Sequence, residues 1–211
     1  MHLADTVELS SHFAGQAKRD GVTVGYSESE RQGTASSGDI RGDQVEHRIR
    51  GVSPQGEQDT MGVARNLVQW LNREQIKWGE PSESSAAHTD AVAEGVGANA
   101  GATLKIQVVR AIVDPQIWRE LGATGEYTAS LSLGQAAQMM WDAVQKKVGK
   151  IEPEARQGLV LLLDANRCPG QAFPAVVAEY RRQYADETRR LGFDGVYVAG
   201  YLMDSVSALD E

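Results

Sequence analysis

The sequence predicts an α/β domain in which helices pack against a small mixed β-sheet, and three features predict it. Leu159-Val160-Leu161-Leu162-Leu163 is a continuous apolar run closed by Asp164, the composition of a strand buried on both faces. A helix expected over 173–191 follows, with Val177, Tyr180, Tyr184, Thr188 and Leu191 in phase and Gly192 at its end, and Phe193 to Ala199 then reads as another strand. Such a strand–helix–strand unit should form a right-handed parallel crossover. Upstream, the segments 88–96 and 103–112 flank Gly97-Ala98-Asn99-Ala100-Gly101, which is turn chemistry between strand-like stretches. A hairpin joined to a parallel unit makes the sheet mixed.

The remaining elements follow from periodicity and end signals. Residues 1–55 are rich in Gly, Ser and charge, as in Gly33-Thr34-Ala35-Ser36-Ser37-Gly38, and are expected to form a polar N-terminal arm or an edge hairpin. Within them, Val22-Thr23-Val24 and Val45 to Ile49 have the composition of short strands. Residues 56–211 hold the α/β domain. Its first helix is expected over 60–73, because Val63, Ala64, Leu67, Val68 and Leu71 share one face and Asp59 or Thr60 supplies a cap. Pro81, Ser82, Ser84 and Ser85 mark a loop. A second helix begins at the capping-box pair Ser132 and Gln135, whose spacing satisfies two end N–H groups reciprocally. Leu133, Ala136, Ala137, Met140, Trp141, Val144 and Val148 are its apolar stripe, and Gly149 with Pro153 ends it. Met139-Met140-Trp141 reads as core packing.

Composition narrows the function classes. Of 211 residues, 41% are hydrophobic and 24% charged, which suits a globular chain. No apolar run approaches the roughly 18–20 residues of a membrane span, and Met1 to Ser10 has neither a basic nor an apolar leader segment. With Cys168 as the single cysteine no intrachain disulfide forms, and the expectation is a cytoplasmic protein without a membrane partner. His2, His12, His47 and His88 are too scattered for a zinc-finger spacing. Cys168 has no histidine nearby in sequence to activate it. Lys plus Arg is 21 against 29 Asp plus Glu, a net charge of −8, which argues against tight nonspecific DNA binding while leaving room for a local groove. The cluster Arg181, Arg182, Arg189, Arg190 concentrates positive charge, either for a ligand or on a solvated helix face. The Gly97–Gly101 turn lacks the spacing and the following Lys-Ser/Thr of a phosphate loop.

Two short segments carry a resemblance. Thr89-Asp90-Ala91-Val92 lies on the first hairpin strand, and Leu104-Lys105-Ile106-Gln107-Val108-Val109-Arg110-Ala111 forms the second. With the element order around them, they resemble the PD-(D/E)XK nuclease-like (restriction-endonuclease-like) superfamily over roughly residues 57–200. The resemblance implies Mg²⁺ held by oxygen ligands on adjacent strands and a lysine beside the attacking water. Asp90 matches the first motif. Gln107 stands where the family has an acid, and Val109 where it has the lysine.

Nearby residues offer replacements. Lys105 has the strand parity of Gln107, whereas Arg110 has the opposite parity, and Glu94 has the parity of Asp90. Glu57 and Glu74, flanking the first helix, are further acids that could approach. The candidate catalytic set is therefore Asp90, Gln107 and Lys105, and the candidate metal set is Asp90, Glu94 and Gln107. The same residues also suit the polar face of an ordinary hairpin. Three functions stay open: a nuclease-fold protein with little or no catalysis that binds nucleic acid or a protein partner, an active Mg-dependent phosphodiester hydrolase, and an unrelated α/β interaction or scaffold protein. Asp164 ends a strand where α/β ligand sites often lie, but Asp164-Ala165-Asn166-Arg167 lacks the second Asp of a phosphoaspartyl hydrolase. Capping of the loop by Asp164 and Asn166 is the expected role.

Overall fold

The computed structural model describes residues 17–19, 22–24, 26–31, 34–41, 44–51, 60–111, 126–165, 168, 172–200 and 205–211. The expected roles of Glu57, Asp59 and Asn166 lie outside them.

The domain is built on a six-stranded mixed sheet. Its strands are β6 (Ser82–Glu83), β7 (Ala91–Glu94), β8 (Thr103–Arg110), β10 (Leu159–Asp164), β11 (Gly195–Ala199) and β12 (Val206–Ala208), and they lie side by side in the order β12-β11-β10-β8-β7-β6. β7 and β8 form the antiparallel hairpin, with Ala91 opposite Ile106 and Glu94 opposite Thr103. β8, β10 and β11 run parallel, Leu161 lying between Gln107 and Val196. Helices α1 (Thr60–Leu71), α2 (Leu133–Val148), the short α3 (Pro153–Arg156) and α4 (Phe173–Arg189) complete the layers.

Alternation along the central strands explains why they read as unbroken apolar runs. Val160 and Leu162 pack with Ala91, Ala93, Leu104 and Ile106 against Met61, Val63, Ala64, Leu67 and Val68 of α1. Leu161 and Leu163 point the other way, into a core shared with Ala137, Met140 and Val144 of α2 and Val176, Val177 and Tyr180 of α4. Residues 160–163 of β10 thus meet a helix on one side of the sheet or the other in turn. Trp141 stacks on Tyr184 at 5.0 Å between α2 and α4, so the Met139-Met140-Trp141 segment is packing.

The helix ends obey their signals. Ser132 accepts from the Gln135 N–H at 3.1 Å and the Gln135 side chain accepts from the Ser132 N–H at 2.8 Å, closing the capping box. The far end of α2 is held by Arg156, whose guanidinium donates to the carbonyls of Val148 (2.8 Å), Ile151 (2.9 Å) and Leu191 (3.2 Å). One charged fork thereby fixes the last turn of α2 against the end of α4.

The N-terminal segment forms more than an edge hairpin. β1 (Ala17–Arg19) pairs with β2 (Val22–Val24), while β3 (Tyr26–Arg31), β4 (Thr34–Arg41) and β5 (Gln44–Gly51) form an antiparallel meander. β5 then pairs along its length with β9 (Glu126–Ser132), which runs directly into α2. A four-stranded sheet, β3-β4-β5-β9, therefore joins the two halves of the chain. Truncation to Ser53 should strip β9 of its strand partner while leaving the six-stranded sheet folded. Hydrogen exchange is the readout: amides of 126–132 should lose protection while those of β10 keep it. Loss of cooperative unfolding throughout would show that the meander is required by the whole domain.

Candidate functional site

Asp90 immediately precedes β7, at the point where the chain leaves the hairpin ladder. Its backbone is fully used: the Asp90 N–H donates to the Ile106 carbonyl at 2.9 Å, and its carbonyl accepts from the Ser84 N–H at 3.1 Å. Beyond this point the Val108 N–H has no strand partner on the β7 side, and the Asp90 carboxylate takes over, with Oδ2 accepting from it at 2.8 Å. The same oxygen accepts from Nε2 of Gln107. Gln107, only 3% exposed, also directs Nε2 at its neighbour's carbonyl, Val108 O, at 3.3 Å. An amide oxygen turned toward the carboxylate would be repelled by it, so the electrostatics fix the donor side of Gln107 on Asp90.

Ala91 and Ala93 belong to the α1 core, so the Asp90 side chain lies on the opposite, α2 side of the sheet, as does Gln107. Lys147, in the last turn of α2, is partly buried on that side of the sheet. Desolvation lowers the Lys147 ammonium below the usual lysine value, the Asp90 carboxylate pulls it back up, and Lys150 pushes it down again. The cation that feels the Asp90 charge thus comes from a helix. Strand parity pointed only to Lys105. The signal for Lys147 in sequence is a basic residue in a last helical turn, which the helix dipole alone accounts for.

The other candidates are not gathered here. Lys105 stands two residues from Gln107, about 7 Å along β8, and is exposed opposite Val92. Glu94 shares the face of Asp90 but lies four residues along β7, about 13 Å away; its carboxylate accepts from the Thr103 hydroxyl at 3.3 Å. Parity sets the face without setting the distance. Glu74 is exposed and follows α1, the helix that packs on the face of the sheet opposite to the Asp90 carboxylate. Val109 packs against the apolar core on the α2 side.

These residues do not fit a magnesium site. Mg²⁺ takes oxygen donors, whereas the side chain nearest Asp90 presents N–H, and no group of three or more His, Cys, Asp or Glu that could hold a metal occurs among the described residues.

Three further features of the sequence resolve into structure. Arg181 donates to the Ala208 carbonyl at 2.8 Å through Nε, Arg189 donates to the Asp210 carbonyl at 2.6 Å, and Arg182 pairs with Glu179 at 2.7 Å. Most of the arginine cluster therefore fastens the C-terminal segment to α4 or lies in a local helix pair. Cys168 is buried, and burial pushes its thiol up to about 12, which leaves it protonated and a poor nucleophile at neutral pH. Asp164 is buried at the end of β10, its carbonyl accepting from the Ala111 N–H at 2.9 Å. No helix among the described residues is long and apolar enough to cross a membrane.

Comparison of the chain with protein-family models, with curated proteins and with solved structures gave no match in any of the three.

Proposed function

We propose that this chain is a nuclease-like domain without phosphodiesterase activity, in which the motif aspartate serves the fold and the domain acts by binding a protein partner. The observation that carries the reading is the engagement of Asp90 Oδ2 by both the Gln107 amide and the Val108 N–H. A metal-binding acid must offer its oxygens to the ion, yet this one closes the end of a hairpin ladder. The charge balance supports a protein partner over nucleic acid. The net charge is −8, and arginines at 181, 182 and 189 are occupied within the domain. Strong phosphate binding requires free cations in numbers.

The test is a cleavage and binding assay on single- and double-stranded DNA with Mg²⁺ or Mn²⁺. The expected result is no cleavage and no salt-dependent binding. Asp90→Ala should instead lower stability by about 1–3 kcal/mol, the cost of leaving the buried Gln107 amide and the partly buried Val108 N–H without their acceptor, read from the denaturant midpoint. Metal-dependent cleavage that disappears in Asp90→Ala would establish a nuclease and overturn this reading. Salt-dependent DNA binding without cleavage would replace the protein partner with nucleic acid.

A further inference from the structure

We infer that the Gln107 amide stands in for a divalent cation at Asp90, so that this one side chain decides whether the Asp90 carboxylate is a clamp between β7 and β8 or a metal ligand. The inference rests on the reading above and names the residue responsible for it.

The geometry carries the argument. Gln107 is buried and its Nε2 meets Asp90 Oδ2, the same oxygen that takes the Val108 N–H. Two donors thus converge on one carboxylate oxygen from a single strand, supplying the positive potential that an ion would otherwise bring. Asp90 is thereby compensated by groups the chain carries permanently, with no dependence on ions in solution.

Glutamate has nearly the shape of glutamine, so Gln107→Glu exchanges the N–H at this contact for a second carboxylate oxygen. Two carboxylates in one site repel unless a proton or a cation lies between them. Magnesium needs only one or two carboxylates, since water completes its shell. The variant should then acquire the ion dependence that the natural chain lacks.

The experiment is thermal unfolding of the full chain in EDTA and across a Mg²⁺ and Mn²⁺ titration, at matched ionic strength. The natural chain should show the same midpoint throughout. Gln107→Glu should unfold at a lower temperature in EDTA and climb with each tenfold rise in Mg²⁺, as mass action requires of an ion bound only by the folded state. Gln107→Met, which removes the donor without adding charge, should be destabilised and insensitive to the ion. Gln107→Asp, with its carboxylate set farther from Asp90, covers the case in which the glutamate variant fails to fold without metal, and both should then fold when refolded in Mg²⁺.

The outcomes separate the two claims. A midpoint of the natural chain that rises with Mg²⁺ would show a metal site already present, which overturns the proposed function as well. A flat response of the natural chain together with flat responses of both carboxylate variants would overturn only the role of Gln107. Failure of both variants to fold with or without metal has the same consequence.

Discussion

Replacing Leu161 with alanine should lower stability by about 2–5 kcal/mol, the usual range for emptying a buried leucine site. Leu161 is fully buried at the centre of the sheet, paired on one side with Gln107 of β8 and on the other with Val196 of β11. Its side chain enters the core between the sheet and helices α2 and α4. Strands on both flanks prevent β10 from moving to fill the space, so the cavity should persist and the cost should lie high in the range. A denaturant midpoint measured against the natural chain checks this. An unchanged midpoint would mean that β10 is peripheral and the strand order is different.

Gly95→Ala should be comparably damaging, for a different reason. A Cβ at position 95 would stand 1.9 Å from the Asn99 carbonyl oxygen and 2.8 Å from its carbon, both rigid backbone atoms. The turn cannot yield without losing the bonds that define it, from the Gly95 N–H to the Ala102 carbonyl (2.8 Å) and from the Ala102 N–H to the Asn99 carbonyl (2.9 Å). A loss of about 3–5 kcal/mol is expected, in the upper tail for single substitutions. Gly97→Ala is the control. Space around that position is open, and the penalty comes only from its φ of +59°, about 1–2 kcal/mol for a left-handed residue. Equal effects at the two positions would show that backbone conformation, and not close approach, governs this turn. The larger effect at 95 should also reach Asp90 and Gln107, because the turn sets the register that brings them together.

Much of this architecture was legible without tertiary information, because it is encoded within a few residues. The capping box at Ser132 and Gln135, the apolar stripe of α2, the unbroken run of β10 and the α4–β11 unit are local patterns, and each element appears where its pattern lies. The glycine-bearing turn likewise placed Asp90 and Gln107 on neighbouring chain segments on one side of the sheet. Period-two alternation is enough to assign a face.

Distance and partner choice were decided only by the tertiary structure. Alternation gave Glu94 the face of Asp90, yet the rise of the strand carries it about 13 Å away. The pairing of β5 with β9 joins Arg50 to Glu126, positions 76 apart in the chain, and no local pattern specifies it. Lys147 feels the Asp90 charge across the layer between α2 and the sheet, where Arg156 holds the last turn of α2 through the Val148 carbonyl. The donor side of Gln107 is set by the carboxylate it meets, and a glutamine in a sequence carries no sign of which end its neighbour will see. Residue type and spacing fix what each segment can form; which charges and amides then share a pocket depends on packing between segments far apart in sequence.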